Sequence, residues 1–261
     1  MRRGLDYHIH TFYQKCGNAT LTVENIIWRS EAIGLTSIAI TDHLNHRGQL
    51  DNFRLIQRDI QPVETSVEVW FGCELNFDAC DGNWAYDEAV RDEYGFEVVV
   101  GGIHAAYTDS QDPMEVIDIQ HRHHMRTLED PLVHVLVHPY WFGDGDLNAR
   151  TPEWWQKLME EFPEDRIVEL AHASAANRAA IELNSEAIFC KSAYSAGFQA
   201  AYIEFVRRLA QHGALFSFAS DAHDINHLGS SDYAEGLLDG LGVPEAQVWR
   251  PVLQDGQDGT G

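Results

Sequence analysis

The sequence predicts an α/β fold built on parallel strands, and three observations carry that expectation. Short apolar runs alternate with longer amphipathic stretches, the pattern of strands joined by crossover helices. Seven such runs can be counted along 261 residues, the length of one α/β barrel. Histidines and carboxylates recur at the C-terminal end of one predicted strand after another. Alternation by itself leaves a barrel and a doubly wound sheet open. The repeated strand-end position fits a closed barrel, in which those ends converge on one face.

Taken in order, residues 5–10 read as the first strand, in which His8 and His10 point to one side while Tyr7 and Ile9 point to the other. Thr22 can N-cap a helix over residues 23–33 that Gly34 closes, with Val23, Ile26, Ile27 and Ile33 as its apolar stripe. Residues 36–41 form a short buried strand ending in Asp42-His43, and a polar helix over about 49–59 comes next. The third strand, 67–71, ends in Gly72-Cys73-Glu74, and the acidic stretch 76–93 is expected to be an irregular loop. A fourth strand, 96–103, ends at His104, and Pro113 opens a helix running to about residue 127. The fifth strand, 132–137, ends in His138-Pro139. Helices near 153–161 and 164–175 lead to a sixth strand, 179–183, ending at Asn184. The longest helix, 193–212, precedes the seventh strand, 214–219, which ends in Ser220-Asp221-Ala222-His223. A short helix near 233–238 follows. Residues 1–253 are expected to form a single domain, and 254–261 are too polar and glycine-rich to order themselves.

Charge narrows the function classes. Lysine and arginine total 18 against 41 acids, a formal charge of −23 that repels nucleic-acid phosphates. No run of 18 apolar residues is present, so no membrane span is expected. The N-terminus enters the first strand without an apolar signal region, which makes the cytoplasm the expected compartment. Cys16, Cys73, Cys80 and Cys190 contain no C-x-x-C pair and read as reduced thiols or ligands.

Imidazole and carboxylate donors suit Zn, Mn or Fe better than Mg or Ca. The candidates exceed what one tetrahedral ion takes, so two or three divalent cations sharing groups are expected, with Glu74 as the natural bridge. The motifs themselves, His8-x-His10, Thr41-Asp42-His43, Gly72-x-Glu74, Gly102-Ile103-His104, Val137-His138-Pro139 and Ser220-Asp221-Ala222-His223, occur in a telling order. Over about residues 5–230 the chain resembles the PHP (polymerase and histidinol phosphatase) superfamily of metal-dependent phosphoesterases.

That resemblance implies a distorted (β/α)7 barrel with a metal site at the C-terminal ends of the strands, in agreement with the seven strands counted. It implies that His8, His10, Glu74 and Asp221 hold one cation, that Glu74, His104 and His138 hold a second, and that His43 and His223 hold a third. Trinuclear members carry a further histidine six residues beyond the second histidine of the first motif; here Cys16 stands there, and a thiolate is a competent zinc ligand. Asp42, read as orienting His43 or an adjacent ligand, joins His43, Glu74 and Asp221 as the expected catalytic set. The expected nucleophile is a metal-bridging hydroxide that attacks phosphorus in line. Asn184 resembles a family residue near the substrate. Lys191, one of three lysines, and Arg178 are candidate phosphate contacts.

The expected activity is hydrolysis of a small phosphorylated metabolite, a phosphomonoester. A nuclease or phosphodiesterase of the same family and a non-catalytic metal-binding domain are the alternatives. Outside the motifs, His121-Arg122-His123-His124 reads as a solvated helix surface with no carboxylate partner. Tyr140-Trp141-Phe142 either packs or walls a pocket.

Overall fold

A computed structural model describes residues 3–76 and 85–252; the expected polar tail, Cys80 and residues 77–84 of the acidic stretch lie outside them. In chain order the elements are β1 (Leu5–Ile9), α1 (Val23–Ile33), β2 (Ser37–Ile40), β3 (His43–Leu44), α2 (Leu50–Ile60), β4 (Glu68–Asn76), α3 (Glu88–Tyr94), β5 (Val98–Gly102) and α4 (Pro113–Glu129). They continue with β6 (Val135–Leu136), α5 (Asp144–Ala149), α6 (Pro152–Glu160), α7 (Glu164–Asn177), β7 (Ala180–Asn184), α8 (Ala196–Gln211), β8 (Phe216–Ala219) and α9 (Ser231–Gly240).

All strand pairs are parallel, in the order β1-β2-β4-β5-β6-β7-β8, and the short β3 pairs with β4 beside that path. The two edge strands approach each other. Asp221 N donates to the His8 carbonyl at 2.9 Å, and His10 N donates to the Ala222 carbonyl at 3.3 Å. The sheet is thus nearly closed into a barrel, and the seam runs through two of the histidine motifs. Strands β1, β2, β5, β7 and β8 are buried end to end, as expected for strands covered on both faces.

Helix faces supply the outer layer of the core. Tyr7, Leu136, Ile181 and Phe216 pack with Trp155 of α6, Leu170 of α7 and Phe205 of α8. A second apolar cluster sets Ile9, Ile40 and Phe71 against Ile26 of α1, Phe53 of α2 and Tyr94 of α3. Thr22 accepts from Asn25 N at 3.2 Å and Gly34 closes α1 at φ 80°, so both expected caps form.

The structure departs from the sequence reading in several places. A short extra strand, His43–Leu44, is present, and α4, at 17 residues, exceeds the 16 of α8, which was expected to be the longest helix. Part of the expected acidic loop is helix α3, which Asp87 opens by accepting from Val90 N and Gly95 closes in the left-handed region. The third strand runs on to Asn76, so Glu74 lies within β4 rather than beyond its end. The fifth strand shrinks to two residues because the ring of His134 accepts from Val99 N and interrupts the ladder there. Helix α5 and a π-helical turn, Ser185–Phe189, fill segments where no element was expected. The histidines of α4 are buried rather than solvated: His121, His123 and His124 face inward, and His121 Nε2 meets the Glu169 carboxylate at 2.7 Å.

Candidate metal centre

The strand-end residues converge on Glu74, which is fully buried. Its Oε2 faces His8 Nε2 at 3.4 Å, His10 Nε2 at 3.7 Å and His43 Nδ1 at 2.5 Å. Its Oε1 faces the other way, towards His104 Nε2 at 3.1 Å and His138 Nε2 at 3.4 Å. Asp221 approaches His10 Nε2 at 3.1 Å from across the seam. Among the described residues, three groups of donors lie close enough together to hold an ion: His8/His10/Glu74, His43/Glu74/His104, and His10/Cys16/His43/His223. They are contiguous, because His10, Glu74 and His43 each belong to two of them.

Local backbone features put these side chains in place. Gly72 allows β4 to press against β5, since a Cβ there would meet the Val98 carbonyl oxygen at 2.1 Å. His138 and Asp221 hold left-handed backbone at φ 28° and 56°, which is costly for non-glycine residues. Each is pinned. His138 N donates to Glu182 Oε2 at 2.7 Å, and Asp221 N is tied to β1 through the His8 carbonyl.

A layer of partners orients the rings. His8 Nδ1 donates to Glu182 Oε1 at 2.8 Å, which turns Nε2 towards Glu74. His104 Nδ1 donates to Asn76 Oδ1 at 2.9 Å, and His223 Nδ1 to the Asp221 carbonyl at 2.9 Å. Fixing one ring nitrogen in this way sets which nitrogen faces the centre.

The electrostatics fit a cation. Burial opposes charge on His8, yet Glu182, Asp221 and Glu74 outweigh it and hold the imidazole well above its usual range. His10 is raised in the same way against its burial, by Asp221, Asp42 and Cys16. Burial pushes the Glu74 carboxyl up, but His43, His8 and His104 more than reverse this and hold it well below the carboxylate range. Asp221 behaves likewise beside His8 and His10. His104 and His223 are lowered, chiefly by burial, towards the neutral form that ligation needs. His8 Nε2, His43 Nδ1 and Glu74 Oε2, which face one another at the centre, are buried without closing a hydrogen bond. Orphaned buried polar atoms are expensive, and a cluster of nitrogen, oxygen and sulfur donors is what a divalent cation satisfies. The residues present fit the group.

The structure therefore gathers His8, His10, Cys16, His43, Glu74, His104, His138, Asp221 and His223 at one barrel mouth. Asp42 stands behind them. It accepts from Thr11 N at 2.7 Å and from the Thr11 hydroxyl, and lies 3.5 Å from His10 Nδ1, so its neighbour is His10 rather than His43. Asn184 is fully buried, and its amide is spent on Glu182, Asp221 Oδ2 and Ala187 N, which makes it a brace for Asp221 rather than a substrate contact. Lys191 lines the cavity over the cluster, about 560 Å³, together with Trp141, Glu186 and His227. Trp141 is the wall, its ring 4.9 Å from that of His138, whereas Tyr140 and Phe142 are packed in the core. Arg178 is not at the site. It precedes β7 and lines a separate cavity with Glu97, Asp130 and Trp249 at the opposite end of the strands.

Sequence reasoning missed Glu182 and Asn76, the partners of His8 and His104. The available signal was a carboxylate in the middle of an otherwise apolar strand, Ala180–Asn184.

Fold and cluster together define a class: a parallel α/β barrel whose C-terminal strand ends carry a histidine-carboxylate centre able to hold divalent cations. The PHP domain family model matches residues 6–186, and the chain belongs to that family. Asp221 and His223 lie beyond the matched span and reach the cluster through β8. The histidinol phosphate phosphatase of Lactococcus lactis subsp. lactis Il1403, whose structure holds zinc, L-histidinol and phosphate, is similar in fold with a TM-score of 0.60. Sequence identity is 14%, over 93% of this chain and 95% of that one. A candidate histidinol phosphatase from Listeria monocytogenes superposes with a TM-score of 0.57 at 10% identity, covering 86% of this chain and 97% of that one. No curated protein sequence matches the chain.

Proposed function

We propose that this chain is a metal-dependent phosphoesterase that hydrolyses a phosphomonoester of a small metabolite. The observation that carries the reading is the two-sided environment of Glu74, with separate sets of imidazoles facing its two oxygens beneath an open cavity. His8, His10, Glu74 and Asp221 would hold one cation, Glu74, His104 and His138 a second, and Cys16, His43 and His223 a third. Divalent cations in such a site supply Lewis acidity towards phosphoryl oxygens and lower the pKa of water.

The chain's own groups do the rest. Glu182 and Asn76 hold His8 and His104 in one ring orientation, so their donor atoms need no reorganisation when substrate arrives. Asn184 holds one Asp221 oxygen and leaves the other towards His10. Lys191 lines the cavity, which supports a role for its ammonium in receiving phosphate oxygens, and Trp141 would close one side against water. Glu186 and His227, 3.6 Å apart on the same rim, flank the space for the alcohol portion of the ester. The bound histidinol and phosphate of the Lactococcus enzyme support a small ester as the substrate class. Among the described residues no helix is long and apolar enough to cross a membrane, and the net charge of −23 disfavours polyanionic nucleic acid.

The test is phosphate release from a panel of phosphorylated metabolites, using protein whose metal content is quantified. His10→Ala and Asp221→Ala should each lose at least the ~10–100-fold that removal of an outer partner costs a metal site. Near-normal turnover in either variant would sink the assignment. Faster cleavage of oligonucleotides than of any monoester would move the activity to the nuclease alternative, and full metal loading with no hydrolysis of any phosphate ester would point to a non-catalytic domain.

A further inference from the structure

Of the three donor groups at the barrel mouth, one differs in kind. His8/His10/Glu74 and His43/Glu74/His104 offer only nitrogen and oxygen, whereas His10/Cys16/His43/His223 adds sulfur. In that group one donor atom from each of the four residues lies within 4.8 Å of all the others. His10 and His43 also serve the neighbouring groups, so Cys16 and His223 are the donors that make this sub-site its own.

The thiol is held there by the fold. After β1 the chain turns through Lys15 in left-handed backbone at φ 64°, and Gly17 passes so close to the Thr11 carbonyl that a Cβ would sit 2.7 Å from its oxygen. Asn18 then joins this loop to the one after β8. Its N–H donates to the His223 carbonyl at 3.0 Å, and its side chain to Asp224 Oδ2 at 2.5 Å. Cys16 and His223 are thereby set against each other by backbone contacts that do not depend on either side chain. A second, independent feature points to a ligand. His10 is fully buried, and its Nδ1, 3.5 Å from Asp42 Oδ1, closes no hydrogen bond.

We propose that Cys16, with His43, His223 and the adjacent His10, forms a thiolate sub-site that takes a thiophilic divalent cation of the zinc class and rejects manganese and magnesium, while the neighbouring nitrogen-oxygen groups accept either kind. The proposal rests on the metal-centre reading above. Its physical basis is donor softness: thiolate strengthens binding of zinc far more than of manganese or magnesium, which favour oxygen ligands. Cation occupancy would also clasp the loops after β1 and β8 across the barrel seam.

Cobalt(II) titration of metal-stripped protein tests it without reference to activity. The wild type should develop a near-ultraviolet thiolate-to-cobalt absorption that zinc abolishes and that manganese at about 100-fold excess leaves in place. Cys16→Ser should lose that absorption together with one bound cation per chain, and Cys16→His should recover the cation without the absorption. On the unaltered protein, zinc should slow iodoacetamide labelling of Cys16, read by peptide mass, at least about tenfold, because a coordinated thiolate is shielded. Manganese should not, and labelling of the exposed Cys190 should be unchanged by either. Equal labelling of Cys16 with and without zinc, an absorption that survives in Cys16→Ser, or displacement of cobalt by manganese would each overturn the sub-site. Cation-dependent ester hydrolysis alongside any of those results would leave the phosphoesterase reading standing. Absence of hydrolysis with the absorption present would overturn only that reading.

Discussion

At the scale of single residues, Glu182 organises the cluster from behind the candidate ligands. One of its oxygens receives His8 Nδ1–H, and the other receives His138 N and Asn184 Nδ2. Strands β1 and β7 and the turn after β6 therefore meet on one buried carboxylate. Glu182→Gln replaces an acceptor oxygen with an amide that can only donate, and it leaves either the His8 ring or the His138 backbone without its acceptor. Cation affinity measured by calorimetry should fall about 10–100-fold, the usual cost of losing an outer partner. Unchanged affinity would mean that the rings are held by packing alone. Most of the candidate ligands were readable from the sequence because they follow or lie near strand ends, where chemistry and position coincide, whereas Glu74 sits inside β4 and Cys16 on the loop after β1. Glu182 was not readable, because it lies inside a strand and has no motif of its own. Its alternation with Asn184 on a strand of period two was the one hint. Arg178 was misplaced for the converse reason. It precedes β7, and the rule that puts sites at C-terminal strand ends already excluded it.

Elements show where burial overrides local pattern. In α4 the sequence offers three histidines among charged residues, yet the helix packs them inward, His121 against α7, His123 on the Tyr107 ring and His124 at the turn after β6. Burial pushes the His124 imidazole well below its ordinary value, with His121 and His123 adding to the shift, and its Nε2 accepts from Tyr140 N at 3.3 Å. A neutral, accepting His124 supports the left-handed turn at Tyr140, φ 58°, just beyond His138. The unfolded chain binds a proton at this ring below about pH 6.5 and the folded chain does not, so stability present above that pH is lost as pH falls through it, by roughly 1.4 kcal/mol per pH unit. Thermal midpoints measured from pH 7.5 to 5 should decline less steeply in His124→Gln, whose amide oxygen can still accept from Tyr140 N. Identical slopes in the two proteins would exclude His124 as the source. On β4, Gly72→Ala would drive a methyl into the Val98 carbonyl. It should cost about 1–3 kcal/mol of stability and disturb the strand that carries Glu74, which a urea titration would register as a lower midpoint at unchanged slope. The strand-helix alternation was readable because apolar runs and caps are local signals. Helix α3 was hidden by acidic composition, since an Asp87 cap over seven residues is too short to establish a periodicity. The shortened β6 was hidden because a side chain, His134, substitutes for a ladder bond.

At the scale of the whole molecule, the barrel closes where its chemistry lies. The β1–β8 seam has two backbone hydrogen bonds at its upper end, from Asp221 N and His10 N, both within metal-ligand motifs. Of the side chains that cross it, Asp6 accepts from Ser220 N at 2.8 Å, while Asp221, reaching His10 and His8, is itself a candidate ligand as they are. Cations bound there would tie the first strand of the chain to its last, and would offset locally a net charge of −23 that otherwise repels itself. Because cations bind the folded state preferentially, each site filled at 100 times its dissociation constant adds about 2.7 kcal/mol. For a chain of this size that raises Tm by roughly 5–10 °C. We propose residues 1–253 as one cooperative domain, so chelator should lower a single transition by that amount or more rather than split it, and added zinc should restore it. Calorimetry of loaded and stripped protein decides the matter. Two separated transitions in either state would mean that the two apolar clusters unfold independently, and an unchanged midpoint would mean that the seam holds without its cations.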